Sequence, residues 1–277
     1  MIHILPLSPA LGAEIQGVDL ARLSDDTAEI VMRTFRAFGL LLFRDQEIDD
    51  EQQVRFARLF GRISRQGAIQ KAAAGTTYVS NTRGDGTFGV GELNFHSDQC
   101  YYDHPMKAIM LYGVEVATKG GETLYANTSR AYERMPAALK RRIEPLKVRH
   151  HFDYGALHYG EAKKKEIEAT KVSAVHPVVG RHPASGLPIL MVNAETVDCI
   201  LDVEPAESAR LVSAIVAEIT APDNVYRHTW RPKDLVVWDN LLLQHARSNF
   251  DNAERRTLRR CAIAHDLEPP LESSAAA

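Results

Sequence analysis

The sequence predicts an α+β protein in which β-strands predominate, with a sandwich or barrel core and with flanking and inserted helices. Helical periodicity is concentrated in the N-terminal part and in a few later inserts. From about Phe95 onwards, short apolar runs of strand length recur between turn residues, which is the pattern of a β-rich core. A chain of 277 residues, 45% hydrophobic and 25% charged, is long enough to bury such a core in one domain.

The N-terminal part is predicted to contain two capped helices on either side of a buried strand. Ser24-Asp25-Asp26 can cap the first helix, whose apolar residues recur at helical spacing, and Gly39 can end it. The apolar run 40–43 is of strand type. Asp49-Asp50 can cap the second helix, and Gly61 is expected to stop it.

The rest of the chain supplies the strands of the predicted core. The strand-like runs are 108–116, 123–126, 172–179, 189–192, 225–230, 235–238 and 258–264. Helical inserts are predicted near 137–142, 162–169 and 205–219. We expect residues 1–90 to form an N-terminal α/β part that packs on a core of residues 91–268. Residues 269–277 are expected to be a tail, and all of these segments to belong to a single domain.

Charge and cysteine content exclude several classes of protein. The formal net charge is −3 without a long basic run, so we expect no nucleic-acid partner. Cys100, Cys199 and Cys261 are too scattered for a disulfide framework or a paired zinc site. No run approaches the roughly 20 apolar residues of a membrane span, and the first residues do not resemble a signal peptide. We therefore expect no membrane association and a reducing, cytoplasmic location.

The first candidate for chemistry is the segment Phe95-His96-Ser97-Asp98. In a strand, His96 and Asp98 would project from the same face. Two histidines and a carboxylate on one face of an octahedron suit the oxygen chemistry of iron(II). The motif alone is weak, since 151–153 repeats it among eleven histidines. A structural histidine beside a turn aspartate is the alternative.

A third ligand has to come from farther along the chain. His245 follows a strand-like run, an Asp239-Asn240 turn and three leucines, so it could face a cavity. A capping or core histidine is the alternative. Downstream, Arg256 and Arg260 share one face of a predicted strand, and an arginine can hold a carboxylate through two parallel hydrogen bonds. A charged, solvated edge strand is the alternative there.

Together and in this order, the motifs resemble those of the taurine dioxygenase and phenoxyacetate dioxygenase family of iron(II)/2-oxoglutarate enzymes. The resemblance covers nearly the whole chain, which makes it far more specific than any one motif. The segments that carry it are 11–20, 43–46, 95–98, 120–124, 176–179, 192–193 and 238–240, followed by His245, Arg256 and Arg260.

The resemblance implies a double-stranded β-helix (jelly-roll) core and iron ligation by His96, Asp98 and His245. It implies the use of Fe(II), 2-oxoglutarate and O2, with release of succinate and CO2. The expected reaction is hydroxylation of an unactivated C–H bond of a small anionic organic substrate. Family members are commonly homo-dimers or homo-tetramers, and we carry that expectation over.

The resemblance also assigns the pocket. Thr123 and Arg256 match the residues that hold the distal carboxylate of 2-oxoglutarate, and Arg260 matches an arginine near the primary substrate. Four further residues fall at substrate-pocket positions: Phe95, Gln99, Tyr101 and Phe152. The taurine enzyme has tryptophan where Phe95 stands, and segment 64–91 lacks its substrate-contacting histidine and tyrosine in recognisable form. Taurine is therefore not the expected substrate. The Gly-rich loop 84–91 is a candidate lid.

Three other functions are compatible with parts of this pattern. A non-catalytic jelly-roll binding protein would need the pocket but not the triad of ligands. A zinc hydrolase could use the same three ligands, although Arg256 would have no purpose in it. Within the dioxygenase class, desaturation or cyclisation could replace hydroxylation.

Overall fold

The computed structural model describes residues 1–64, 75–87, 89–152 and 172–268. The helical insert predicted at 162–169 and the tail 269–277 lie outside these residues. Within the described ranges, no helix combines the length and the apolar character needed to cross a membrane.

The chain begins with a hairpin and the first predicted helix. Strands β1 (His3–Pro6) and β2 (Ala13–Gln16) pair antiparallel. After a 3₁₀ turn at Leu20–Arg22, helix α1 spans Asp25–Phe38. The Ser24 side chain accepts a hydrogen bond from the backbone N–H of Thr27, and Gly39 ends the helix with a φ of 70°. Both predicted ends of α1 are confirmed.

The buried strand and the second helix follow as predicted, with one difference. Strand β3 spans Leu40–Phe43, and helix α2 spans Asp50–Ala57. Asp49 and Gln52 form a capping box at the start of α2. The prediction that α2 runs to Gly61 was wrong, because the chain leaves the helix after Ala57 and continues in turns.

The remaining elements cover the predicted strand runs. They also include elements that were not predicted, namely the strands Thr77–Ser80, Lys147–His151, Val197–Ile200 and Leu243–Arg247 and the helix Thr128–Arg134. The strands are β4 (Thr77–Ser80), β5 (Leu93–His96), β6 (Ala108–Glu115), β7 (Thr123–Asn127), β8 (Lys147–His151), β9 (Ser173–Pro177), β10 (Val179–Arg181), β11 (Pro188–Leu190), β12 (Val197–Ile200), β13 (Val225–His228), β14 (Leu235–Asp239), β15 (Leu243–Arg247) and β16 (Thr257–Ile263). The helices are α3 (Thr128–Arg134), α4 (Ala137–Ile143) and α5 (Pro205–Ile219), followed by a 3₁₀ turn at Pro222–Asn224. Every predicted strand run overlaps a strand, and the run 172–179 is divided between β9 and β10. The helices near 137–142 and 205–219 are confirmed.

The strands form two larger sheets and two smaller ones. The larger sheets have the orders β1-β2-β3-β14-β6-β16-β4 and β13-β7-β15-β5, and the smaller ones β12-β8-β9 and β10-β11. Strands β2 and β3 pair in parallel, and the other strand pairs are antiparallel. The protein is thus an α+β structure dominated by sheet. The N-terminal strands belong to the same sheet as β14, β6 and β16.

Strand β3 shows how the seven-stranded sheet is covered on both faces. Leu41 and Phe43 belong to a core cluster with apolar residues of α1 and α2. Leu40 and Leu42 point the other way, into a cluster with Tyr125 of the four-stranded sheet. A strand buried on both faces has a continuous apolar run, because alternate side chains enter different cores. The second of these clusters lies between the two larger sheets.

Candidate metal centre and co-substrate pocket

Two candidate metal ligands lie directly opposite each other on neighbouring strands. In the antiparallel pairing of β15 with β5, His245 is the register partner of His96. Directly opposite residues of such a pair have Cβ atoms roughly 5 Å apart on the same face of the sheet. Their ring centroids are 4.2 Å apart. The register of two strands that are distant in sequence therefore creates half of the site.

The third candidate, Asp98, reaches the same place in a different way from that expected. The prediction that a strand carries both His96 and Asp98 was wrong: β5 ends at His96, and Asp98 lies in the turn that follows. Gln99 adopts a φ of 64° in this turn. The Asn240 side chain accepts a hydrogen bond from Asp98 N (2.8 Å) and donates to Asp98 O (3.1 Å) and Met106 O (2.8 Å). Asn240 therefore holds the backbone of Asp98 in position.

The three side chains offer ligand atoms that all lie within 4.8 Å of one another. Asp98 Oδ1 is 3.3 Å from His96 Nε2 and 3.8 Å from His245 Nε2. His96 Nδ1 is 2.7 Å from the carbonyl oxygen of Asn94, which can only accept, so Nδ1 carries the proton and Nε2 presents a lone pair. The donor set therefore fits a cation between two imidazole nitrogens and a carboxylate oxygen.

Burial and charge set the protonation of this cluster. Burial is the main cause that lowers the pKa of His245 to about 3, and the charge of His96 is the second cause. The ring of His245 is therefore neutral near pH 7. Burial opposes ionisation of Asp98, but the positive charge of Arg260 and then the hydrogen bond with His96 hold the pKa of this carboxyl well below its usual range. Burial likewise opposes protonation of His96, but its hydrogen bond with Asp98 and the charge of Asp98 raise the pKa above the usual value. A proton and a metal ion would thus compete for the same acceptors.

Arg260 is part of this cluster. Its Nη2 lies 2.6 Å from Asp98 Oδ2 and 3.2 Å from the sulfur of Met106. The contact uses the carboxylate oxygen that faces away from the two histidines. A charge-assisted hydrogen bond to this oxygen orients the carboxylate and keeps it ionised. The structure therefore places Arg260, predicted near the substrate, directly on a candidate metal ligand.

The predicted co-substrate residues lie in the wall of the same cavity. Arg256 is 3% exposed, and its Nε donates to the carbonyl oxygen of Gly121 at 3.1 Å. Among the described residues, no carboxylate forms an ion pair with it. Gly121 has a φ of 70°, and a Cβ there would stand 3.1 Å from Arg256 Cδ, so the Gly-Gly turn makes room for the arginine. Thr123 is buried, and its Oγ1 accepts a hydrogen bond from Trp230 Nε1 at 2.9 Å.

Metal ligands and co-substrate residues therefore face one cavity between the two larger sheets. Its volume is about 50 Å³. The polar residues of the wall are the three candidate ligands, Thr123, Arg247, Arg256 and Arg260. The apolar residues are Val79, Leu93, Ile109, Leu111, Trp238 and Ala246. Polar groups that converge among apolar side chains are typical of small-molecule sites.

The other predicted pocket residues are not in the wall of this cavity. Phe95 alternates with His96 along β5 and packs against the apolar cluster beside α5. Gln99 is buried in the turn after Asp98. The rings of Tyr101 and Phe152 are in contact, with centroids 4.8 Å apart.

A larger groove lies elsewhere and lacks the features of a metal site. It has a volume of about 680 Å³ and lies between α1, α3 and the turn joining β10 to β11. His182 and Asp239 in its wall are already paired with each other at 2.9 Å. Size alone would favour this groove, but the convergence of ligands and buried arginines identifies the smaller cavity as the candidate site.

Sequence reasoning missed two contributors to the site. Asn240 was assigned chiefly to a turn, although its side chain forms two hydrogen bonds with the backbone of Asp98. Arg247 was not singled out, although its position two residues after His245 in a strand places it on the same face. Burial lowers the pKa of Arg247 to about 10. The pKa of Arg256 falls to about 9, mainly because of burial and secondly because of the nearby positive charge of Arg247. Both guanidiniums therefore stay charged near pH 7.

Comparisons with known proteins give the family. Residues 3–262 match the taurine catabolism dioxygenase TauD, TfdA family. The chain is 30% identical to an (S)-phenoxypropionate/alpha-ketoglutarate-dioxygenase of Sphingobium herbicidovorans, over 95% of each chain, and 31% identical to pentalenolactone F synthase of Streptomyces arenae, over 100% of each. The crystal structure of AAD-2 in complex with Mn(II) and N-oxalylglycine superposes with a TM-score of 0.81 at 28% identity, covering 97% of this chain and 99% of that one. The chain belongs to the taurine catabolism dioxygenase TauD, TfdA family and is a 2-oxoglutarate-dependent dioxygenase.

Proposed function

We propose that the protein uses iron(II), 2-oxoglutarate and O2 to hydroxylate an unactivated C–H bond of a small anionic organic substrate, releasing succinate and CO2. One observation carries the proposal: three ligand atoms within 4.8 Å of one another share a cavity with Arg256, which has no acidic partner among the described residues. A metal site alone would also suit a hydrolase. A buried guanidinium, however, needs an anion to compensate its charge, and a co-substrate carboxylate provides one.

Each of these residues has a distinct task in the proposed site. His96, Asp98 and His245 would hold iron(II), and Thr123 and Arg256 would hold the distal carboxylate of 2-oxoglutarate. Bound together, iron(II) and 2-oxoglutarate would supply the activation of O2 that protein side chains cannot. The N-oxalylglycine bound by AAD-2 has the skeleton of 2-oxoglutarate with NH in place of one CH2, which supports a pocket for this molecule.

A second group of residues is proposed to contact the primary substrate. Arg260 remains the proposed contact for the anionic group of the substrate, and its ion pair with Asp98 adds the role of orienting a ligand. Gln99 and the Tyr101–Phe152 ring pair are proposed to border the substrate. Phenoxypropionate, named for one relative, is an organic acid with an aromatic ring and would suit such surroundings. The loop Gly84–Gly91 stays a candidate lid.

We also propose that the two larger sheets are the two halves of a double-stranded β-helix within a single domain. The cavity lies between strands of both sheets, with β5, β7 and β15 on one side and β6, β14 and β16 on the other. A taurine dioxygenase from Burkholderia xenovorans has a similar structure, with a TM-score of 0.81 at 26% identity. This arrangement would place the strands of His96 and His245 beside each other in one half of the core.

The proposed metal and co-substrate can be tested together by anaerobic spectroscopy. Adding iron(II) and then 2-oxoglutarate should produce a weak metal-to-ligand charge-transfer band in the visible, because the 2-oxo acid would chelate the metal. Succinate, which lacks the oxo group, serves as the control and should produce no band. Bound iron, shown by direct metal analysis, without any band on addition of 2-oxoglutarate would contradict the co-substrate assignment.

The role of Arg256 makes a separate prediction. Arg256→Gln should weaken 2-oxoglutarate binding by about 10-fold or more, since a hydrogen bond to a charged group contributes roughly 1.5–3 kcal/mol. Iron binding should change little, because Arg256 touches none of the three ligands. Arg255→Gln is the matched control: Arg255 is the preceding residue, but it is exposed and pairs with Glu115. Titration of the charge-transfer band with 2-oxoglutarate measures the affinity of each variant. An equal loss of affinity in the two variants would contradict the assignment of Arg256.

A further inference from the structure

Arg247 is a third buried arginine in the wall of the cavity, and the function proposed so far gives it no task. It follows His245 by two residues on β15, so both side chains leave the strand on the same face. In the pairing of β15 with β7, Arg247 is the register partner of Thr123. Its exposure is 4%. The register therefore places Arg247 beside the threonine proposed to contact the distal carboxylate.

The charge of Arg247 acts close to that of Arg256. Both guanidiniums lie over the ring of Phe250, with their central carbons 5.5 Å and 5.7 Å from the ring centroid. Two buried like charges in one wall repel each other, and each has lost the solvation that water would give. Both guanidiniums would attract an anion in the cavity, whereas an uncharged group would gain nothing from their charge.

The guanidinium of Arg247 is also held in a fixed orientation. Its Nε donates to the carbonyl oxygen of Gly91 at 3.0 Å, and its Nη1 donates to that of Gly89 at 3.3 Å. These carbonyls belong to the segment that leads into β5 and its ligand His96. Groups oriented before a ligand arrives lose less conformational freedom on binding, so their charge is used efficiently.

We propose that Arg247 is a specificity-determining residue for the co-substrate. With Arg256 and Thr123, it makes this part of the cavity select a 2-oxo acid that carries a second, distal carboxylate. The inference rests on the proposed function, because it deepens the same co-substrate site. A 2-oxo acid without the distal carboxylate can chelate the metal equally well, but its far end offers no negative charge to the two guanidiniums in the cavity wall.

The test compares two 2-oxo acids that share the metal-binding end. 2-Oxoglutarate and 2-oxopentanoate differ in whether the far end is a carboxylate or a methyl group. The iron(II)-loaded protein is titrated anaerobically with each, and the charge-transfer band gives both affinities. The ratio of the two affinities isolates the contribution of the distal carboxylate. We expect this ratio to fall by about 10-fold in Arg247→Met and in Arg247→Gln.

The two variants and a control separate charge from other effects. Arg247→Gln keeps an N–H donor for the Gly89–Gly91 segment but removes the charge, so it should match Arg247→Met. Arg259→Met removes another buried arginine, whose hydrogen bonds go to Gln53, Asp50 and Ile48 around α2, and should leave the ratio unchanged. Thermal denaturation of each metal-free variant shows whether it is folded. If Arg247→Met does not fold, the comparison is made with Arg247→Gln alone.

The possible failures are distinguishable. If Arg256→Gln lowers the ratio but neither Arg247 variant does, the inference about Arg247 is wrong and the proposed function stands. If Arg247→Gln retains the ratio of the unmodified protein, charge is not the cause and the inference is again wrong. If even Arg256→Gln leaves the ratio unchanged, the co-substrate site itself is misplaced and the inference falls with it.

Discussion

Asp98→Asn is expected to lower metal affinity by more than about 100-fold. Changing a residue that only supports a metal ligand typically costs about 10- to 100-fold, and Asp98 is proposed to be a ligand itself. The amide would also remove the only negative charge among the three proposed ligands. The prediction is checked by titrating the metal-free protein with iron(II) or Mn(II) against a competing chelator.

The same substitution should destabilise the metal-free protein, because it removes the carboxylate that pairs with Arg260 at 2.6 Å. The expected loss is roughly 1.5–3 kcal/mol in the free energy of unfolding, the value of a hydrogen bond to a charged group. The neighbouring pair supplies a matched control. Arg259 lies next to Arg260 on β16 and contacts Asp50 at the same distance of 2.6 Å.

Asp50→Asn should therefore lower thermal stability and leave metal affinity close to that of the unmodified protein. If both aspartate variants lose metal binding to the same degree, the loss reflects general destabilisation and not ligation. If Asp98→Asn binds metal as well as the unmodified protein, the assignment of Asp98 as a ligand is wrong.

The arginines in and just before β16 illustrate what a local pattern can predict. Alternation along a strand was enough to put Arg256 and Arg260 on one face. In the structure, Arg256 and Arg260 line the cavity, Arg259 packs towards α2, and Arg255 is exposed. The caps of α1 and α2 were predictable for the same reason, because the residues that decide them lie within one turn of the helix end.

The geometry around Asp98 shows where such patterns stop. The expected strand through His96 and Asp98 required only local spacing, but the chain turns at Asp98, and Asn240, 142 residues away, holds its backbone. The pairing of His96 with His245 depends on strand register between remote segments in the same way. The order of motifs in the family pointed to these ligands, whereas spacing alone left structural histidines as an open alternative.

The hold of Asn240 on Asp98 leads to the second large prediction. Asn240→Leu would remove three hydrogen bonds, leaving Asp98 N–H, Asp98 C=O and Met106 C=O without this partner. Asp98 would then be free to turn its carboxylate away from His96 and His245. We expect metal affinity to fall by about 10- to 100-fold, the usual effect of losing a residue that orients a ligand, together with a loss of thermal stability.

Asn224→Leu is the control that makes this result interpretable. Asn224 is also completely buried, and its side chain also donates to two backbone carbonyls, those of Asn127 and Ile219. Leaving buried carbonyls unpaired should destabilise both variants, because each unsatisfied group costs roughly 1–3 kcal/mol. Only Asn240→Leu should lose metal affinity, since only Asn240 contacts a ligand residue. Equal metal affinity in the two folded variants would mean that Asp98 keeps its orientation without Asn240. The preceding strand β5 and the ion pair with Arg260 would then be sufficient to position Asp98.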